Sequence, residues 1–144
     1  MEIREIQFGS EEYAFEVELR SKCLREPLGL RFTADELSLE KEQVHLGAFE
    51  AEALLGCLLL VKVSNELFKM RQVAVAPPAQ GRGIGKQLVA HSETLAQRQG
   101  VKQIELHART TAVPFYLALG YEIEGEPFEE VSIPHRKMSK RLFS

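Results

Sequence analysis

The residues from Gln80 to Lys86, Gln-Gly-Arg-Gly-Ile-Gly-Lys, are the ones whose types and spacing could do chemistry, and that chemistry is holding an anion. A helix start leaves about four backbone N–H groups unpaired, and the helix dipole adds partial positive charge there. Gly81, Gly83 and Gly85 would let that backbone approach a phosphate with no Cβ in the way, and Arg82 and Lys86 would bring two cations to the same turn. A glycine turn that merely joins a strand to a helix is the alternative on glycines alone.

Spacing selects among phosphate binders. In a Walker loop four residues separate the two glycines and a hydroxyl follows the lysine; here Gly81 and Gly85 are one residue too close, and Gln87 stands in the hydroxyl position. A dinucleotide fingerprint needs its glycines at the first strand–helix turn. Here they lie deep in the chain, spaced G-x-G-x-G.

The elements that must position this turn follow from periodicity. Ile3, Ile6 and Phe8 open an edge strand. Ser10 caps a helix carrying Tyr13, Val17 and Leu24, with Glu11 and Glu12 in its first turn; Pro27 and Gly29 stop it. Thr33-Ala34-Asp35-Glu36 starts a second short helical turn. Val44 to Phe49 and Ala53 to Val63 read as antiparallel strands, the second apolar enough to be covered on both faces. Leu67 to Val75 is a further strand. Ile84, Leu88, Val89, Leu95 and Ala96 form one stripe of a helix ending at Gly100. Val101 to Ala108 alternates as a strand; Thr110 or Thr111 caps a short helix with Pro114 in its first turn and Gly120 past its end. Strands from Tyr121 and from Ser132 to Leu142 close the order β-α-α-β-β-β-α-β-α-β-β.

Composition bounds the function. The 144 residues suit one domain, 1–144, and 18 Lys+Arg against 21 Asp+Glu give a net charge of −3. A chain with 44% hydrophobic residues is no disordered or collagen-like polymer. Without Trp or a basic excess it offers nucleic acid neither a stacking platform nor a positive face. The longest apolar run, Ala53 to Val61, is nine residues, against the roughly 20 that a membrane helix needs. The two cysteines, Cys23 and Cys57, have no C-x-x-C spacing and are expected to stay reduced; a cytoplasmic location is the default expectation. The histidines lack ligand spacing, so no metal is expected.

Three segments carry a resemblance. Gln80 to Gly85 resembles the pyrophosphate loop of the GNAT N-acetyltransferase superfamily: Gln or Arg, two free positions, Gly, one free position, then Gly or Ala. Ala112 to Tyr121 is similar to that superfamily's later segment with Phe-Tyr followed by Gly and an aromatic. The tail from Gly125 to Met138 resembles the ElaA-like branch, with Glu130 and His135 at branch-typical positions.

The resemblance implies an α/β (α+β) GNAT fold, a mixed and mostly antiparallel sheet of about seven strands flanked by four helices. It implies acetyl-CoA as acyl donor, held by Gln80, Gly81, Arg82, Gly83, Ile84, Gly85 and Lys86. The backbone of Val73, Ala74 and Val75 is expected to pair with the pantetheine arm in a V-shaped gap before the strand at Val101 to Ala108. It also implies direct attack by a primary amine of a small molecule or peptide on the thioester. Tyr116 is expected to donate to the departing thiolate, and a homodimer is common in the superfamily. Many members place a Glu before the glycine loop as base, where this chain has Lys69, Met70, Arg71 and Gln72. Glu130 and His135 are the substitutes, or else partners in ion pairing and capping. Acceptor specificity is expected from the first helices and a loop from Phe128 to His135. An inactive acyl-CoA sensor is the alternative function that the absent strand carboxylate leaves open.

Overall fold

The computed structural model describes residues 1–142; the last two positions of the expected 1–144 domain lie outside the described residues. Seven strands form one mixed sheet, in the order β1-β2-β3-β4-β5-β7-β6. They are β1 (Glu2–Ile6), β2 (Val44–Glu50), β3 (Ala53–Lys62), β4 (Leu67–Val75), β5 (Gln103–Arg109), β6 (Glu122–Glu130) and β7 (Ile133–Arg141). The helices are α1 (Glu11–Arg20), α2 (Ala34–Ser38), α3 (Ile84–Arg98) and α4 (Val113–Ala118). Among the described residues no helix is long and apolar enough to cross a membrane. Backbone contacts divide the chain into two compact units, Met1–Val61 with Gln72–Ser92, and Lys62–Arg71 with Glu93–Ser144.

In the first unit β1 pairs antiparallel with β2, and β2 with β3. Ser10 caps α1 by accepting from the Tyr13 N–H at 3.1 Å, and Thr33 with Glu36 forms a reciprocal capping box on α2. Beyond Arg20 the helix loosens into a π-type turn, Ser21–Arg25, and a 3-10 turn ending at Gly29 in the left-handed region, so Pro27 and Gly29 stop it as expected. Gly56 to Leu60 of β3 are all buried, which fits a strand covered on both faces. Leu46, Ala48, Phe49, Leu58, Leu59, Leu88 and Val89 make the core.

The second unit holds the parallel ladder from Leu67–Gln103 to Met70–Leu106, and antiparallel β5–β7 and β7–β6. Ile104, Leu106 and Ala108 alternate into the core with Met138, Phe68 and Met70.

Two local expectations are corrected. Thr110 and Thr111 lie in a 3-10 turn, and α4 starts after Ala112 with no side-chain cap; Pro114 in the first turn needs no N–H partner. The expected loop from Phe128 to His135 is the tip of the β6–β7 hairpin, turned by Val131 and Ser132, both at positive φ (47° and 63°). On β7, Lys140 Nζ binds Glu93 at 2.9 Å and the Leu119 carbonyl at 2.8 Å, Arg136 donates to the Gly125 carbonyl, and Lys137 faces Glu105 and Glu124.

Candidate functional site

The first unit carries the whole expected anion loop. β4 ends at Val75, and Ala76 donates its N–H to the Leu55 carbonyl at 2.8 Å, fixing the strand end. Gly81 and Gly83 follow at φ +83° and +77°, and at both a Cβ would meet nothing within 4 Å, so the loop's outer side is open. L-residues other than glycine strain in this region by about 1–2 kcal/mol. α3 begins at Ile84, and the bond from the Gln87 N–H to the Gly83 carbonyl at 3.1 Å opens its ladder. The N–H groups of Ile84, Gly85 and Lys86 precede that ladder and are donors for a ligand. The residues present fit a pyrophosphate: an open glycine backbone, a helix start, and the exposed cations Arg82 and Lys86.

Two loop side chains are already engaged. Arg82 Nη2 lies 2.6 Å from Glu50 Oε2, and that hydrogen bond and charge hold the Glu50 carboxyl below the usual carboxylate range. Gln80 Nε2 donates to the Val75 carbonyl at 3.0 Å, closing the loop onto the end of β4.

Val73, Ala74 and Val75 follow Gln72, which stands inside β4 at φ +54°. This left-handed residue is held by a buried charge network. Arg20 Nη1 donates to Gln72 Oε1 at 2.6 Å and to Glu40 Oε2 at 2.8 Å, while Nη2 donates to Glu40 Oε1 at 2.7 Å. Arg20 Nε lies 3.0 Å from Glu16 Oε2, and Tyr13 donates its hydroxyl to Glu40. His45 completes the set. Its Nδ1 lies 2.9 Å from Glu16 Oε2 and its Nε2 lies 3.0 Å from the Glu40 carbonyl. Both partners are acceptors, so both ring nitrogens carry protons and His45 is an imidazolium. Burial opposes that charge, but the hydrogen bond and charge of Glu16 outweigh it and raise the His45 pKa. Two carboxylates therefore face two cations at essentially zero exposure.

His45, on β2, is thus a buried ion-pair member. Ligand atoms of Glu16, Glu40 and His45 also lie within 4.8 Å of one another, a spacing a metal could use, but the Arg20 guanidinium holds these same carboxylates.

The same unit holds a cleft of about 480 Å³, lined by Phe15, Leu19, Cys23, Leu54, Ala76 and Pro77, with Glu18, Lys22 and Glu52 at its polar parts. The Cys23 thiol points at the Val75 carbonyl, 3.7 Å away.

The second unit carries Tyr116, Glu130 and His135. Tyr116 sits on α4, 7% exposed, with its ring edge-on to Phe115 (centroids 4.9 Å apart) and Tyr121 (5.8 Å). Burial pushes its pKa up to about 12, so the phenol stays protonated. Glu130 and His135 are brought together across the hairpin, with Oε2 and Nε2 at 3.7 Å. A third residue joins them: His107 Nδ1 lies 2.9 Å from Glu130 Oε1. Burial acts to raise the Glu130 pKa, but the His107 hydrogen bond and nearby positive charges prevail and lower it.

Sequence reasoning missed His107. The signal available was the alternation of β5, which sends Ile104, Leu106 and Ala108 one way and His107 the other. The partner strand that delivers Glu130 was not readable.

The chain is similar in sequence to curated relatives and in fold to solved structures. The uncharacterized protein YyaT of Bacillus subtilis (strain 168) is 34% identical over 81 residues, 56% of this chain and 55% of YyaT. The chain thus spans about half the length of that relative. The uncharacterized N-acetyltransferase YjcF of the same organism is 29% identical over 103 residues, 71% of this chain and 73% of YjcF.

An acyl-CoA N-acyltransferase from Pseudomonas aeruginosa superposes with a TM-score of 0.81 at 21% identity, covering 96% of this chain and 98% of that one. An aminoglycoside 6'-N-acetyltransferase complexed with coenzyme A gives 0.81 at 16%, covering 100% and 98%. Escherichia coli ElaA gives 0.79 at 20%, covering 96% and 98%. At these identities the structural likeness is one of fold. The acetyltransferase (GNAT) domain family matches residues 25–142, through both units. With that much of its 144 residues inside the match, the chain belongs to the GNAT family of acetyltransferases.

Proposed function

We propose that residues 1–144 act as one cytoplasmic N-acetyltransferase domain that transfers an acetyl group from acetyl-CoA to a primary amine. The observation that carries this reading is the loop Gln80–Lys86: two left-handed glycines with open space above them, leading into the start of a 15-residue helix. The backbone of Gly81, Gly83, Ile84, Gly85 and Lys86 would hold the pyrophosphate, with Arg82 and Lys86 neutralising it. Val73 and Val75 would offer backbone groups to the pantetheine. Acetyl-CoA, when bound, supplies a thioester carbonyl open to attack by the amine, with sulfur as leaving group.

Tyr116 would donate a hydrogen bond toward that sulfur. An ordinary thiol, with a pKa near 8.5, is a stronger acid than a phenol held at about 12, so the hydroxyl stabilises the thiolate without surrendering its proton. The acceptor would carry its amine on an apolar body, because the cleft beside α1 is walled by Phe15, Leu19 and Leu54, with Glu52 to attract a cation and Glu18 already paired with Lys22 at 2.9 Å.

Calorimetric titration with acetyl-CoA, with ATP and NAD as controls, tests this reading. Selective binding of acetyl-CoA is expected. It should weaken about tenfold or more in Gly83→Val, whose side chain would both strain the turn and stand in the open space. Equal affinity in a folded variant, or no binding by the wild type, removes the reading.

A further inference from the structure

Glu16, Arg20, Glu40 and His45 are all buried, and their guanidinium grips a strand residue at positive φ. Stability alone is a poor reason for such a set. A buried ion pair is often matched in stability by well-packed apolar residues of similar volume, and its best-attested use is to fix one conformation among several. We infer that Arg20, acting through Gln72, is a positioning residue for the acyl donor: it fixes the end of β4 in the form that receives the pantetheine arm. The inference rests on the acetyltransferase reading above.

The strained residue stands where it can have this effect. The ladder of β4 with β5 runs from Leu67 to Met70 and stops short of Gln72. Gln72 keeps the inward parity of Phe68, Met70 and Ala74, but its φ of +54° turns the peptide planes that follow. A glutamine gains nothing from that region by itself. Arg20 supplies the reason. Its Nη1 donates to Gln72 Oε1 at 2.6 Å, while Glu40 accepts from the same guanidinium at 2.7 and 2.8 Å and Glu16 lies 3.0 Å from Nε. The Phe32 ring covers the guanidinium carbon, with its centroid 5.1 Å away. A planar fork with all three nitrogens engaged cannot swing, so the Gln72 amide is held at a fixed point.

The other end of the same stretch is pinned as well. Gln80 Nε2 donates to the Val75 carbonyl at 3.0 Å, and the Ala76 N–H donates to the Leu55 carbonyl at 2.8 Å. Val73, Ala74 and Val75 thus run between two fixed points, directly before the glycine loop. Arg20, Gln72, this stretch and the loop all lie in the first unit.

A ligand laid along backbone gains from partners that are already ordered, because ordering them on binding costs affinity. Freeing Gln72 therefore weakens the pantetheine's share of the binding and leaves the nucleotide's share to the glycine loop.

Two ligands separate those shares in calorimetry. Acetyl-CoA carries both; 3′-phospho-ADP is the coenzyme without its pantetheine. Gln72→Gly accepts positive φ without strain, so the fold should survive, yet it releases the strand from Arg20. It should weaken acetyl-CoA by about tenfold and leave 3′-phospho-ADP unchanged. Arg20→Met should show the same split. Combining the two substitutions should weaken acetyl-CoA no further, because both cut one bond.

Full acetyl-CoA affinity in Gln72→Gly would overturn the inference. So would an equal loss for both ligands, or wild-type protein that holds acetyl-CoA no more tightly than 3′-phospho-ADP. If Arg20→Met does not fold, the glycine variant decides alone. Failure of the wild type to bind acetyl-CoA at all would instead remove the acetyltransferase reading itself.

Discussion

Arg20 holds Gln72 through a 2.6 Å hydrogen bond, and Gln72 is a left-handed residue (φ 54°) in the interior of β4. Such a conformation persists only where its surroundings over-determine it. A fully buried guanidinium, itself fixed by Glu16 and Glu40, does so here. The bend lies one residue before Val73, at the start of the backbone stretch proposed to receive the pantetheine.

Arg20→Met should therefore do more than loosen a strand. It leaves two carboxylates buried with one cation, and breaking a buried pair in this way costs about 3–5 kcal/mol. Urea unfolding would show the loss. If the variant is as stable as the wild type, the network is not what holds this region.

Stability should also depend on pH on both sides. Burial acts to raise the Glu40 pKa, but hydrogen bonds from Arg20 and Tyr13 hold it below its ordinary value. Its contribution is complete above the unfolded carboxylate range, near 4.3, and is lost as pH falls through the folded value. His45 is raised, so its contribution is complete below about 6.5 and is lost as pH rises through the folded value. Thermal unfolding across pH should show a maximum between the two, and His45→Gln should flatten the alkaline slope. An unchanged slope would show that His45 is not the group responsible.

Arg82 must exchange Glu50 for phosphate when the loop is filled. Glu50→Gln should remove the competing carboxylate and tighten acetyl-CoA binding modestly at low salt, with little difference at high salt, where exposed charges are screened. Calorimetry at two ionic strengths measures it. Weaker binding in the variant would mean that Glu50 supports the loop rather than competing for Arg82.

Tyr116→Phe should lower turnover by about ten- to a hundredfold, the worth of a hydrogen bond to a charged group, with acetyl-CoA affinity nearly unchanged. The side chain is buried and keeps its ring contacts with Phe115 and Tyr121, so folding should survive. Undiminished turnover would remove the hydroxyl from the reaction.

The glycine loop was legible because its function is written in backbone freedom, which only glycine supplies, and in a helix stripe that starts at Ile84. The strands were legible for a similar reason: Ile104, Leu106 and Ala108 alternate without exception. What the sequence hid depended on register. Nothing local says that His107 will meet a carboxylate 23 residues away, because that distance is set by β7 lying between β5 and β6. The Glu16–Arg20 pair has ordinary i,i+4 surface spacing and turned out to be wholly buried. The left-handed Gln72 carries no signal of its own, since glutamine is not a residue that seeks positive φ.

The two thiols have a practical consequence for any assay that colours released coenzyme A. Cys57 is fully buried and its thiol is pushed up, so it is inert to disulfide reagents while the protein stays folded. Cys23 is half-buried and also raised by burial, which makes it slow to react but reachable. A protein-only blank would capture its slow labelling. Because Cys23 lines the cleft beside α1, protection of that thiol by an added amine would report occupancy of the cleft without any turnover at all.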